Sequence, residues 1–81
     1  MRYMKTDLER FVIQNRTYYK EGELPVSDDD KCIADAIWTI KNVKGDHFKL
    51  IIRKGRRTTY SLYDEKGSLV TRPRSVRKVE R

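Results

Sequence analysis

AIWTIKNVKGDHFKLIIRKGRRTTYSLYDEKGSLV, running from Ala36 to Val70, is punctuated by three Lys-Gly pairs at near-even intervals: Lys44-Gly45, Lys54-Gly55 and Lys66-Gly67. Between them apolar and polar residues alternate with period two, the mark of strands covered on one face. A three-residue hairpin loop commonly joins a type I turn to a left-handed residue, a position that glycine fills without strain. Taking Val43-Lys44-Gly45, Arg53-Lys54-Gly55 and Glu65-Lys66-Gly67 as three such loops fixes every pairing. Ile40 then faces Phe48, Trp38 faces Leu50 and Ala36 faces Ile52. In the second hairpin Phe48 faces Tyr60 and Leu50 faces Thr58; in the third, Leu62 faces Val70. All of these fall on one side, and a slip of one residue would move whole strands to the other. The stretch therefore predicts four antiparallel strands, near residues 36–42, 46–52, 56–64 and 68–72.

An apolar sheet face needs a cover, and the N-terminal segment offers one. Thr6-Asp7-Leu8-Glu9 matches a capping box, and Leu8, Phe11, Val12, Asn15, Tyr18 and Tyr19 share one arc at about 100° per residue. Gly22 supplies a left-handed stop. This spacing predicts a helix over residues 7–21, with Ile13 off its arc and free to touch a second surface. Ser27-Asp28-Asp29-Asp30 has the character of another N-cap, opening a short second helix that ends near Asp35. The expected class is α+β: an N-terminal helix, plus the short second one, packed on one face of a four-stranded antiparallel β-meander. Residues 1–72 form a single small domain in this reading, and residues 73–81 a basic C-terminal tail.

Bulk properties narrow the function classes. Eighty-one residues allow one small core, because a chain of this length buries only about 60–65% of its unfolded surface. Apolar residues make up 37% and charged ones 38%, and the regular placing of aromatics and aliphatics favours folding over disorder. No run approaches the roughly 18 apolar residues of a membrane span. The lone Cys32 excludes an internal disulfide and fits a reducing compartment, so a cytoplasmic location without membrane partners is expected. Cys32 and His47 cannot make a zinc tetrad, and the Asp28–Asp30 run lacks the spaced ligands of a calcium loop. One histidine with no partnered nucleophile gives no triad. The expectation is a protein without catalysis, cofactor or metal, with Cys32 and Trp38 in the core.

Charge carries the functional signal. The net charge is +7, divided as −2 over residues 1–35 and +9 over residues 36–81. By strand parity Thr39, Lys41, His47, Lys49, Arg57, Thr59, Ser61 and Tyr63 face away from the core, with Ile37, Ile51 and Leu69 among them. No carboxylate projects outward from the middle of these four strands. The predicted nucleic-acid contacts are Lys41, Lys49, Arg53, Lys54, Arg56, Arg57 and Tyr63 on the sheet and hairpin tip. Arg72, Arg74, Arg77 and Lys78 join them from the tail. Lys and Arg neutralise phosphates, hydroxyls donate to phosphate oxygens, and a tyrosine ring can stack on an unpaired base. These features predict a small basic nucleic-acid-binding or regulatory protein whose partner is DNA or RNA. The alternative is a stand-alone adaptor or inhibitor, of the kind mobile elements encode, that docks on an acidic protein surface. Exposed Ile13, Tyr18 or Tyr19, Ile37, Ile51 and Leu69 would then be its apolar anchors. Strand 68–72, as a sheet edge, leaves room for a homodimer.

Overall fold

The computed structural model describes residues 8–31 and 34–79. They form one antiparallel sheet of seven strands: β1 (Arg10–Ile13), β2 (Arg16–Leu24), β3 (Ala36–Asn42), β4 (His47–Lys54), β5 (Thr58–Asp64), β6 (Leu69–Thr71) and β7 (Arg77–Lys78). Their order across the sheet is β6-β5-β4-β3-β2-β1-β7. Consecutive strands are neighbours from β1 to β6, and β7 returns to the far side of β1. Among the described residues no helix is long and apolar enough to cross a membrane.

The predicted helix over residues 7–21 is instead the β1–β2 hairpin. Phe11 pairs with Tyr18 and Ile13 with Arg16, around a two-residue turn in which Gln14 and Asn15 have φ of 50° and 67°. Two successive left-handed residues are the signature of a type I′ turn, whose twist matches that of the strands it joins. Residue chemistry agrees: Phe11, Val12, Ile13, Thr17, Tyr18 and Tyr19 are all β-branched or aromatic, types that fit a pleated surface better than a helix. Ile13, which falls off the helical arc, is 2% exposed. Thr6 and Asp7 of the capping box lie outside the described residues, as does Cys32. The short second helix reduces to a single 3-10 turn at Asp28–Asp30. The expected α+β class thus gives way to a nearly all-β fold.

The meander from Ala36 onward matches the sequence reading in part. The β3–β4 register is the predicted one, with Ile40 against Phe48, Trp38 against Leu50 and Ala36 against Ile52. Its loop closes as expected, with the Gly45 amide donating to the Asn42 carbonyl at 3.1 Å and Gly45 at φ +95°. The β4–β5 register differs by four residues: Leu50 faces Leu62, and Phe48 faces Asp64. The loop there is Gly55-Arg56-Arg57, two residues further along than expected. A four-residue shift keeps parity, so the residues that remain in the strands stay on their predicted faces, while Arg53 and Lys54 join β4 and Arg57 leaves the strand for the loop. At β5–β6 the loop Glu65-Lys66-Gly67 is as expected, but an irregularity between Leu62 and Tyr63 puts Thr71 opposite Leu62. Val70 is left 49% exposed.

Among the described residues no helix covers the apolar face; the sheet covers itself. Residues 72–76 join β6 to β7, the two edges of the sheet. Seven flat strands would set those edges about 29 Å apart, whereas the connector reaches about 21 Å at most. The sheet must therefore curl, as twisted sheets with alternating faces can. Two contacts mark the closure: Gln14 Nε2 in the β1–β2 turn donates to Thr71 Oγ1 of β6 at 3.0 Å, and Val76 packs against the core. Inside lie Ile13, Tyr18, Ile40, Leu50, Ile52 and Leu62, bordered by Ala36, Trp38, Phe48 and Tyr60. Trp38 sits at one end, 4.8 Å from the Phe11 ring and 4.2 Å beneath the Lys20 ammonium.

The segment expected to be a tail is part of this structure. Arg77 and Lys78 pair with Val12 and Phe11, the Val79 amide donates to the Arg10 carbonyl at 2.9 Å, and Pro73 is buried. β7 covers the β1 edge, which would otherwise present a row of unpaired amides.

Candidate nucleic-acid interface

β4 and β5 present three rungs on their outer face: Lys49 beside Tyr63, Ile51 beside Ser61, and Arg53 beside Thr59. Alternate strand residues lie about 7 Å apart, so the ladder from Tyr63 to Arg53 spans about 14 Å. The connector after β6 supplies a further part of the surface. Anchored by buried Pro73, it brings Arg72 and Arg74 to a groove of about 800 Å³ that also holds Arg53, Arg57, Thr58, Thr59, Tyr60 and Ser61, with Ile51.

Four guanidiniums and three hydroxyl-bearing Ser/Thr side chains line this groove, and no carboxylate does. All four arginines are exposed, and among the described residues none of them forms an ion pair. Planar, bidentate, permanently charged groups converging without a counter-ion suit phosphate or carboxylate oxygens. A second hollow of about 240 Å³ adjoins the first through Ile51, lined by Lys49, Tyr63, Asp64, Glu65, Lys66 and Gly67. Asp64 is already engaged there: its Oδ1 accepts from the Lys66 and Ser68 amides, each at 2.9 Å.

The other predicted contacts are distributed differently. Arg56 is exposed at the β4–β5 tip, outside the groove lining. Lys54 is exposed, and its backbone amide is tied to the Asp35 carboxylate. Lys41 meets a carboxylate: Glu21, at the irregularity in the β2–β3 ladder, lies 3.9 Å from Lys41 Nζ and 3.0 Å from His47 Nδ1. While residues 7–21 are read as helix, that acid has no place on the outer face. Arg77 and Lys78 sit on β7 at the β1 seam, where Lys78 Nζ is 2.9 Å from Glu9. Thr58, Lys66 and the placement of Pro73 are additions from the structure; only the groove's assembly reveals them.

Among the described residues, Glu9 and Tyr18 are displaced from their ordinary titration ranges. A hydrogen bond from Lys78, and then its charge, hold the Glu9 carboxyl below its ordinary range; Lys20 assists, and partial desolvation opposes. Burial pushes the Tyr18 phenol above its ordinary value, against a smaller opposing pull from Arg16. Neither group lines the groove. Among the described residues no group of three His, Cys, Asp or Glu is placed to hold a metal ion. Comparison with known protein families, curated proteins and solved structures finds no match for this chain.

Proposed function

We propose that this chain is a small basic nucleic-acid-binding or regulatory protein that holds phosphates in the groove between the β4–β5 face and the Arg72–Arg74 connector. The observation that carries this reading is the convergence of Arg53, Arg57, Arg72 and Arg74 with no carboxylate among the groove's lining residues. Four cations at that density repel one another, a cost that a polyanion relieves by neutralising them and releasing its own counter-ions. The neighbouring hollow is mixed in charge, with Lys49 and Lys66 beside Asp64 and Glu65, so the cationic field is concentrated in the groove. A cytoplasmic location belongs to the same proposal, since nucleic acid is met there and the single cysteine asks for no oxidising compartment.

The adaptor or inhibitor reading draws on a different feature, the pair Leu69 and Val70, exposed by 45% and 49% on edge strand β6. Capture from a nuclease-treated lysate separates the two: one stoichiometric protein retained favours the adaptor, and loss of all bound material favours nucleic acid.

The direct test is a salt titration of labelled oligonucleotide binding. Four phosphates contacted give a slope of about −3 to −4 in log affinity against log salt. Reversing Arg53, Arg57 and Arg72 to Glu together is expected to abolish binding at moderate salt, while Lys44→Glu in the β3–β4 loop changes it little. Affinity indifferent to salt, or preserved in the triple reversal, would overturn the proposal.

A further inference from the structure

The groove and the adjoining hollow differ in chemistry along one line. At one end are the guanidiniums of Arg53, Arg57, Arg72 and Arg74. At the other, half-buried Tyr63 stands between Lys49 on β4 and Leu69 on β6. Ile51 lines both depressions, which lie side by side along β4 and β5. The surface is thus cationic and free of carboxylates at one end, and at the other it carries an aromatic ring among charges of both signs, Lys49 and Lys66 with Asp64 and Glu65.

A duplex can satisfy the first end but not the second. Its phosphates face outward while its base faces are stacked on one another, so a tyrosine on a sheet face meets only sugar and phosphate. A strand with unpaired bases offers both partners at once: phosphates to the guanidiniums, and a free base face to the ring. The groove's size agrees. About 800 Å³ lies in the range of sites that enclose small ligands, the bulk of one or two nucleotides and not of a paired helix.

We propose that this site binds single-stranded nucleic acid, with phosphates held by Arg53, Arg57, Arg72 and Arg74 and a base stacked on Tyr63. The inference rests on the phosphate-binding reading of the same groove and adds the form of the strand and the residue that selects it. Sequence is read weakly or not at all, because every base has a face to stack.

The test uses the whole protein and three labelled probes of roughly ten nucleotides, within the span such sites cover. They are a single strand, the same sequence as a duplex, and an abasic strand of equal length and charge. The single strand is expected to bind about tenfold more tightly than either of the others, the loss of one good stacking contact. Tyr63→Ala should remove that advantage without altering affinity for the abasic strand, and Tyr63→Phe should restore it. The abasic comparison requires no variant, so a folding defect in Tyr63→Ala leaves the inference testable. Equal affinity for the single and abasic strands, or tighter binding of the duplex, would overturn the single-strand inference and leave the phosphate reading standing. No binding of any probe at low salt would overturn both.

Discussion

Gly45 and Gly67 have φ of +95° and +88° and Gly55 does not, although all three follow a lysine at a hairpin. In the left-handed region a Cβ crowds its own backbone, whatever the space around it. Gly45→Ala and Gly67→Ala are therefore each expected to lower stability by about 1–2 kcal/mol in urea unfolding. Gly55→Ala should stay within about 0.5 kcal/mol, since its Cβ would meet nothing closer than the Arg57 carbonyl at 3.9 Å. Tyr18 supplies a second test at this level. Its ring packs edge-on against Phe48 at 5.5 Å, and burial raises its pKa. A raised phenol contributes stability that is whole below the unfolded value of about 10 and is lost as pH rises through the folded value. Alkaline unfolding should therefore coincide with the appearance of tyrosinate absorbance, and Tyr18→Phe should delay it.

Strand β7 shows how a two-residue element is held. Besides two ladder positions, it has the Lys78–Glu9 pair at 2.9 Å. Because the Glu9 carboxyl is held below its ordinary range, its contribution is complete above the unfolded value of about 4.3. It disappears as pH falls through the lower folded value. The protection factor of the Val79 amide, which bonds to Arg10, should fall over that acid window, and Glu9→Gln should lower it already at neutral pH. If the Val79 amide exchanges at the same rate in Glu9→Gln, the ion pair does not hold the strand. The β1–β2 hairpin carries the converse lesson. Its turn, Gln14-Asn15, lacks glycine, and polar Asn15 falls on an arc that also suits a helix. The contrary signals were local: Ile13 off that arc, and a run of β-branched and aromatic residues that disfavours helix. The β4–β5 loop lies two residues beyond the expected one, shifting the pairing by four, for a related reason. Lys54-Gly55 resembles the other two Lys-Gly pairs, yet the loop it opens is Gly55-Arg56-Arg57 and needs no left-handed glycine.

Closure of the sheet couples stability to the proposed site. Val76 packs against the core just after the connector that carries Arg72 and Arg74 into the groove. Val76→Ala removes part of that anchor and is expected to cost about 1 kcal/mol. Oligonucleotide affinity should fall with it, although Val76 lies outside the groove lining. Unchanged affinity in a measurably destabilised Val76→Ala would show that the groove does not depend on the closure.

Alternation with period two assigns Ile40, Leu50 and Leu62 to one face and Lys49, Ser61 and Tyr63 to the other without reference to any distant residue. Parity is a property of the strand backbone, and it survived even the four-residue error in pairing. The charge asymmetry that points to a polyanion is likewise legible along the chain. The sheet's curl is not, because it accumulates from twist over many strands and is fixed by contacts such as Gln14–Thr71, 57 residues apart. That closure turns an expected tail into a strand, gathers Arg72 and Arg74 beside Arg53 and Arg57, and gives the sheet itself the covering role expected of a helix. The Glu21 contact with Lys41 likewise depends on β2 lying beside β3, a neighbour that no local pattern names.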